Sequence, residues 1–265
     1  MQLYYFQSTM IKDKKGIIFG IANDHSIAWG IAKNLHKNGA KLSITYQNET
    51  LLKRVKPLAD KVECELLVEC DFSKQNSIEN TINKVSNTWG NIDFVIHAAA
   101  YSEKNELNGR YIDTSKDNFI KSLNISCFSF TKIAKIYEPI LNNGSSLLTL
   151  SFYGSTKVMP NYNVMGVAKA ALETSVKYLS VDLGSKNIRV NAISAGPMRT
   201  LAGAAIANAR NVYKYTQENS PLNRNVYLEE LGKSALYFVS DLSNSVTGEV
   251  HYVDCGFNII GIPKS

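Results

Sequence analysis

The chain has 265 residues, of which 45% are hydrophobic, and this content is ample for a buried core. Its 29 Lys and Arg against 23 Asp and Glu give a net charge of +6. The basic residues are dispersed and do not interleave with the 14 Tyr. The charge pattern therefore gives no support for nucleic-acid binding, and it leaves an acidic ligand or cofactor open.

The cysteines indicate a reducing compartment. Cys64, Cys70, Cys127 and Cys255 form no C-x-x-C pair, and no close His/Cys cluster indicates a metal site. No apolar run approaches the roughly 20 residues that cross a bilayer, and the first residues lack a signal pattern. We therefore expect free thiols, no metal, no membrane association and a cytoplasmic protein.

The sequence favours one domain. Residues 1–10 are interpreted as an N-terminal extension or a cloning remnant, with Met10 as an alternative start. Residues 11–265 contain no repeats and no Pro-rich linker, so they are interpreted as a single domain.

The first strand and helix predict an anion site. A strand from Lys15 to Phe19 leads into G-I-A-N-D-H-S-I-A-W-G, and a helix runs from Ser26 to about Asn38. The helix N-terminus presents free N–H groups and a positive dipole. Ala22 interrupts the pattern G-x-G-x-x-G, so an ordinary tight turn remains the alternative.

The end of the second strand bears on the choice of coenzyme. The strand runs from Lys41 to Tyr46 and ends at Gln47, before a helix from Glu49 to Lys61. In dinucleotide folds this strand end faces the adenosine ribose. Gln47 can bond a hydroxyl but offers no charge to a 2′-phosphate, which favours NADH over NADPH; Lys53 and Arg54 moderate that preference.

The third strand, Glu65 to Cys70, precedes a helix from about Ser77 to Trp89. Asp71 and Phe72 follow the strand at a position where an adenine could rest. Asp71 could equally cap the next turn.

The fourth strand, Asp93 to His97, is followed by Ala98, Ala99 and Ala100. Small residues there let a ligand approach the backbone, although packing alone also explains them. His97 is interpreted as a structural histidine.

The middle of the chain continues the alternation of strands and helices. We predict a polar loop from Tyr101 to Asp113, a long helix from Lys116 to Tyr137 and a fifth strand from Ser146 to Phe152. The whole pattern is typical of the α/β class. It predicts a Rossmann-like, doubly wound parallel sheet of about seven strands with helices on both faces. Tyr153 follows the fifth strand at the ligand-binding edge.

The stretch P-N-Y-N-V-M-G-V-A-K-A-A contains a Tyr and Lys pair. Tyr162 and Lys169 are seven residues apart, almost two helical turns, on a helix expected to continue to about Leu183. If the helix begins near Tyr162, both lie on one face, and Lys169 can reach back to lower the phenol pKa. A surface Tyr and Lys sharing a helix face is the alternative.

The last third completes the sheet. The sixth strand, Ile188 to Ile193, is followed by Gly196-Pro197 and an Ala- and Gly-rich segment to Asn211. We predict a mobile lid there, with a routine helical excursion as the alternative. A helix from Leu228 to Val239 and a strand from Glu249 to Val253 follow.

With these motifs the chain resembles the short-chain dehydrogenase/reductase superfamily and, within it, the bacterial enoyl-acyl-carrier-protein reductases. The resemblance covers roughly residues 15–260. Its motifs are G-x5-S-I-A-x-G at 20–30, P-N-Y-N-V-M-G-x-A-K-A at 160–170, R-V-N-A-I-S-A-G-P-x-R-T-L-A at 189–202, and T-G-E followed by V-D-x-G-F at 247–257. Six residues separate Tyr162 from Lys169, whereas most members of the superfamily have three between them.

The resemblance implies reduction of a trans-2-enoyl thioester by NADH. Tyr162 would bond the enolate oxygen, Lys169 would hold the nicotinamide ribose, and Tyr153 joins them in the catalytic group. The implied cofactor residues are Gly20, Ala22, Ser26, Ile27, Gln47, Asp71, Phe72, Ala98, Ala99, Ala100, Lys169, Ile193 and Thr200. The implied substrate residues are Tyr101, Leu107, Tyr162, Met165, Ala202 and Ile206. An acyl carrier protein is the implied partner and a homotetramer the implied assembly.

Three departures from the family accompany this resemblance. Phe152 takes the place of the first Tyr after the fifth strand, and three alanines replace Ser-Ile-Gly or Ser-Ile-Ala after the fourth. The lid carries a single Arg210 where relatives have several basic residues.

Two alternatives to the enoyl reductase function remain. One is reduction of a 3-ketoacyl or enone substrate, and the other is NAD binding without catalysis.

Overall fold

The structure is a computed structural model that describes residues 10–262. Apart from Met10, the interpreted N-terminal extension lies outside the described residues. Within residues 10–262, no helix combines the length and hydrophobicity required to cross a bilayer.

Seven parallel strands form one sheet in the order β3-β2-β1-β4-β5-β6-β7. They are β1 (Lys15–Phe19), β2 (Lys41–Tyr46), β3 (Leu66–Glu69), β4 (Ile92–His97), β5 (Leu141–Phe152), β6 (Arg189–Ala195) and β7 (Val250–Val253). The strand order reverses between β1 and β4, and ligands bind at such a switch point in open α/β sheets.

Helices cover both faces of the sheet. They are α1 (Ile27–Lys37), α2 (Glu49–Lys61), α3 (Ser77–Trp89), α4 (Lys116–Leu123), α5 (Ser129–Tyr137), α6 (Val164–Gly184), α7 (Leu201–Ala205), α8 (Ala209–Asn219) and α9 (Leu228–Val239). One apolar core joins α1 and α9 to the sheet through Leu35 and Phe238. The other joins α5 and α6 through Phe130 and Leu172. The predicted α/β architecture is confirmed, and the bounds of β1, β2, α2, α3 and α9 agree with the prediction.

The fifth strand is longer than predicted. It begins at Leu141 instead of Ser146, and its register against β4 shifts between Ile92 and Phe94. The polar residues Asn142, Asn143 and Gly144 supply this irregular start. Their composition is typical of a turn, and for that reason the sequence pattern missed the pairing.

The predicted helix from Lys116 to Tyr137 is interrupted. Residues Asn124–Phe128 form a π-helical turn between α4 and α5. The turn contains no Gly or Pro to mark an interruption of the helix, so the sequence pattern did not reveal it.

The helix that carries Lys169 starts later than the argument from helix faces requires. It begins at Val164, and Asn161 and Asn163 before it have φ values of 63° and 44°. Residues with positive φ end a right-handed helix. Tyr162 therefore lies in a turn, and the prediction that Tyr162 and Lys169 share a helix face is wrong.

Candidate active site

A cleft of about 1530 Å³ opens along the carboxyl edge of the sheet. It is lined by nearly every residue that the sequence assigned to cofactor or substrate. These are Gly20, Ala22, Ser26, Ile27, Gln47, Asp71, Phe72, Ala98, Ala99, Ala100, Tyr101, Leu107, Tyr162, Met165, Lys169, Thr200, Ala202 and Ile206. Residues far apart in the chain meet here because parallel strands end at one edge.

Two assigned residues lie elsewhere. Ile193 is fully buried in the core, because β6 continues for two more residues to Ala195. Tyr153 starts a short 3₁₀ turn, and its ring packs edge-on against Phe257 with centroids 5.7 Å apart. Neither lines the cleft. Sequence reasoning missed Met198, which follows β6 and does line it.

The β1–α1 turn forms a cradle for an anion. The Ser26 hydroxyl accepts hydrogen bonds from the backbone N–H of Ala22 at 3.0 Å and of Asn23 at 3.1 Å. Ile27 and Ala28 follow in the first turn of α1, line the cleft, and have no acidic neighbour in that turn. The first N–H groups of a helix have no partner within it. The cradle therefore fits a diphosphate, with the Ser26 hydroxyl holding the turn.

Gly20 lets β1 and β4 approach closely at the base of this cradle. Its φ is 101°, and a Cβ there would clash with the carbonyl of Ala98. Only glycine adopts this backbone without strain, so the position has a physical reason for its residue type.

The end of the cleft that the sequence assigned to adenosine carries a negative charge. Asp71 accepts hydrogen bonds at Oδ1 from the N–H of Ser73 at 2.9 Å and from its hydroxyl at 2.7 Å. The capping role proposed as an alternative is therefore present, although Asp71 also lines the cleft. Burial alone would raise the pKa of Asp71, but hydrogen bonds from Ser73 and Gln47 outweigh it and lower the pKa. A 2′-phosphate beside Gln47 would meet this carboxylate.

Tyr162 lies at the inner end of the cleft with 8% of its surface exposed. The Phe152 ring packs edge-on against it, with centroids 5.0 Å apart. Burial, and to a lesser extent the Glu173 carboxylate, raise the pKa of Tyr162 well above its ordinary value. The expectation that Lys169 lowers this pKa is wrong, because desolvation dominates. The phenol keeps its proton and can act as a hydrogen-bond donor.

Lys169 is also buried, and it lines the same cleft. Its Nζ donates a hydrogen bond to the carbonyl of Leu150 at 2.7 Å. Burial lowers the pKa of Lys169 from 10.5 to about 8, although Cys127 and Glu173 act to raise it. The ammonium is therefore charged near neutral pH and keeps two further donors.

Glu173 was missed by the sequence analysis. It lies one helical turn beyond Lys169, is 9% exposed, and accepts hydrogen bonds from the hydroxyls of Ser151 and Ser155. The carboxylate thus ties the end of β5 to α6 behind Tyr162. Its spacing of four residues from Lys169 was the available signal.

His97 is structural, as predicted. It is fully buried, and its ring nitrogens bond Thr149 Oγ1 and Ser129 Oγ, each at 2.8 Å. Burial lowers its pKa to about 3, and Lys169 adds to the shift. The histidine is neutral and lies behind the cleft wall.

The substrate side is apolar and closed by a lid, which we define as residues 198–211. Leu107, Met165 and Tyr162 form a small apolar cluster with Ile206 of the lid. The predicted position of the lid over the cleft is confirmed, and it carries helix α7. Helix α8, which begins at Ala209 near the end of the lid, was not predicted. The mobility of the lid stays a prediction.

The entrance to the cleft is more basic than the sequence analysis inferred. Arg210 was counted alone on the lid, but Arg199 and Lys214 also line the cleft. Arg199 lies 4.5 Å from the centroid of the Tyr213 ring, where the ring face attracts its charge. Three exposed cations therefore line the cleft, and two of them, Arg210 and Lys214, lie on α8.

Comparisons with known proteins agree with this geometry. A family model described as Enoyl-(Acyl carrier protein) reductase matches residues 20–258. Enoyl-[acyl-carrier-protein] reductase [NADH] 2 of Rhizobium meliloti is 56% identical over 96% of this chain and 95% of its own length.

Solved structures are equally similar. The enoyl-(acyl-carrier-protein) reductase of Anaplasma phagocytophilum, solved in complex with NAD, superposes with a TM-score of 0.93 at 53% identity, covering 97% of this chain and 98% of its own. FabI from Candidatus Liberibacter asiaticus superposes with a TM-score of 0.94 at 52% identity, covering 96% and 99%. The cradle at α1, the buried Tyr162 and Lys169 and these likenesses lead to one conclusion: the chain belongs to the enoyl-(acyl carrier protein) reductase family.

Proposed function

We propose that the protein reduces the trans-2 double bond of enoyl-acyl-carrier-protein thioesters with NADH, the last step of the fatty-acid elongation cycle. The observation that carries the proposal is that the buried, protonated Tyr162 and the buried ammonium of Lys169 line one cleft together with an anion cradle. Membership of the family and the names of the relatives support it.

Different residues of the cleft bind different parts of a dinucleotide. The first turn of α1 and Ser26 fit the diphosphate, and Gln47 and Asp71 flank the adenosine. Lys169 donates one of its three N–H groups to the carbonyl of Leu150. The two remaining N–H groups can bond the two hydroxyls of a nicotinamide ribose. Bound NADH supplies the hydride that C3 of the enoyl group receives.

The protein's own contribution is to the charge that develops on the substrate. As C3 gains a hydride, the electron pair of the double bond shifts toward the thioester oxygen, and C2 then takes up a proton. Tyr162 donates a hydrogen bond to that oxygen, where a fixed donor stabilises the transition state more than the ground state. The apolar cluster of Leu107, Met165 and Ile206 excludes water and surrounds the acyl chain.

We propose NADH as the preferred coenzyme. Gln47 is neutral and offers no positive charge to a 2′-phosphate. Asp71, to which Gln47 donates a hydrogen bond, is negatively charged and would repel that phosphate. NADPH is the less favoured coenzyme.

One assay series tests the reaction and the coenzyme. Purified protein is given NADH or NADPH with crotonyl and longer trans-2-enoyl thioesters, and with 3-ketoacyl thioesters at equal concentration. We expect NADH oxidation with the enoyl series. Faster turnover of the ketone would favour the other short-chain reductase reaction, and NADH binding without turnover of any thioester would favour a non-catalytic role.

We propose the acyl carrier protein as the partner that delivers the substrate, since Arg199, Arg210 and Lys214 at the entrance fit an acidic protein. Its affinity should fall as salt rises. Titrating the protein with enoyl-acyl-carrier protein, and separately with the matching coenzyme A thioester, at two salt concentrations measures how much of the affinity depends on the carrier protein and on salt.

We also propose a homotetramer in the cytoplasm. Helix α6 exposes Tyr178 (72%) and Val181 (78%), and Phe128 beside it is 54% exposed. An apolar face of this kind is typical of a subunit interface. The four free thiols fit a reducing compartment. Light scattering gives the mass in solution, and fractionation of cells that express the protein tests the location.

A further inference from the structure

Tyr162 is flanked by two asparagines whose side chains bond two different segments of the chain. The Asn161 Nδ2 donates to the carbonyl of Ala207 in the lid at 3.1 Å. The Asn163 Nδ2 donates to the carbonyl of Glu106 in the loop opposite at 2.9 Å. The lid and the loop also meet directly, since the N–H of Ala207 donates to the carbonyl of Leu107 at 3.3 Å. Three hydrogen bonds thus close a ring of three segments around Tyr162.

The loop end of this ring is fixed. The Glu106 carboxylate accepts hydrogen bonds from the N–H of Ser115 at 2.9 Å, from its hydroxyl at 2.7 Å, and from Asn118 Nδ2 at 3.0 Å. Asn118 is 2% exposed and lies on α4. Asn163 therefore bonds an anchored carbonyl, which holds the turn that carries Tyr162 against α4.

The lid end of the ring is held at Ala207. Its carbonyl accepts from Asn161, and its N–H donates to Leu107. Leu107, 4% exposed, packs against Tyr162 together with Ile206 of the lid. Release of Ala207 would therefore open the apolar cover over the phenol and admit water to it.

The backbone explains why asparagine stands at both positions. Asn161 has φ 63°, and Asn163 has φ 44° with ψ −125°, a conformation that a β-carbon disfavours. Glycine would adopt both without strain, but it has no amide to donate. Asparagine tolerates positive φ better than most residues and supplies the donor.

We propose that Asn161 and Asn163 are positioning residues that fasten the lid and the opposite loop to the Tyr162 turn, so that closure over the acyl chain and orientation of the Tyr162 hydroxyl occur together. The kinetic consequence rests on the proposed reductase function. The closure itself does not.

The test compares Asn161→Asp and Asn163→Asp with a matched control. Aspartate keeps the size and tolerates positive φ, but it replaces the N–H donor with an oxygen that repels the carbonyl. Asn187→Asp is the control, since Asn187 has φ 55°, donates Nδ2 to Asn143 at 3.0 Å, and lies before β6 at the opposite edge of the sheet. Asn161→Gly is the second variant, because it removes the amide and relieves the backbone.

Limited trypsin digestion reports closure without any substrate, since Arg210 in the lid and Lys214 just beyond it are exposed. We expect both Asn161 variants to be cleaved there about three- to tenfold faster, the range of one neutral hydrogen bond. Asn187→Asp should match the wild type. Unchanged cleavage in both Asn161 variants would overturn the proposal.

Steady-state kinetics separates positioning from general stability. Asn161→Asp should raise KM for a long enoyl thioester, and Asn163→Asp should lower kcat, each by about three- to tenfold. The NADH Kd should stay unchanged in both. A lower melting temperature with wild-type cleavage, KM and kcat would reduce both residues to a structural role. If the wild type turns over no thioester but Asn161 variants still open the lid, the reductase function fails and the closure stands.

Discussion

Raising the pH should weaken NADH binding through one buried group. Lys169 is 5% exposed, and burial lowers its pKa from 10.5 to about 8, against the opposing effects of Cys127 and Glu173. A group with this pKa is about 90% charged at pH 7 and about 10% charged at pH 9. The ammonium that we assign to the ribose hydroxyls therefore becomes an amine over this range.

The magnitude follows from the hydrogen bonds that change. A bond from a charged donor contributes about 1.5 to 3 kcal/mol, roughly twice a neutral one. Loss of the charge from one such bond therefore removes about 0.75 to 1.5 kcal/mol. The NADH Kd should rise about three- to tenfold between pH 7 and pH 9.

Fluorescence titration of NADH across this range measures the effect directly. Lys169→Arg is the matched control, because guanidinium stays charged throughout, and its Kd should be weaker than the wild type at pH 7 but nearly flat with pH. Lys169→Ala should give the weakened affinity at every pH. A wild-type Kd that does not change with pH, or an Arg variant with the same slope, would refute the assignment of Lys169 to the ribose.

Three other substitutions test the remaining assignments. Tyr162→Phe should lower kcat about 100-fold or more without changing the NADH Kd, since it removes one donor to the developing oxyanion, whereas Tyr153→Phe should leave kcat unchanged because that ring lies outside the cleft. Glu173→Gln should lower the pKa of Lys169 further and move the loss of NADH affinity to lower pH; an unmoved profile would show that Glu173 acts only through Ser151 and Ser155. Gln47→Arg should raise kcat/KM for NADPH relative to NADH, and an unchanged ratio would locate coenzyme selection elsewhere.

The sequence predicted the elements that hydrophobic periodicity determines. The bounds of β1, β2, α2, α3 and α9 agree because each has a continuous apolar face or run. The start of α6 failed, since two residues with positive φ at Asn161 and Asn163 leave no mark on hydrophobic spacing. Asparagines with positive φ can be identified only from the backbone of the structure.

The site residues likewise divide into those that the sequence predicted correctly and those that it did not. Motif residues such as Ser26 and Gln47 were placed in the cleft because the strand ends fix them to one edge. Ile193 and Tyr153 do not line the cleft, because β6 continues to Ala195 and Tyr153 starts a 3₁₀ turn, and their assigned roles stay predictions. The direction of the Tyr162 pKa failed for another reason. The charge of a neighbour can be inferred from a motif, but desolvation depends on the whole fold.

The two buried charged residues of α6 show how the site affects the stability of the fold. Lys169 donates to a backbone carbonyl and Glu173 accepts from two hydroxyls, so each has partners other than the opposite charge. The pKa of Lys169 is lower in the folded protein than its ordinary 10.5, so the folded state releases this proton first. Between about pH 8 and pH 10.5 the unfolded chain holds a proton that the folded chain has lost, and this group alone makes stability rise with pH. Below about pH 8 the folded protein carries the full penalty of a buried cation. The pH range in which Lys169 is charged for catalysis is thus the range in which it opposes folding, as expected of a residue kept for its chemistry.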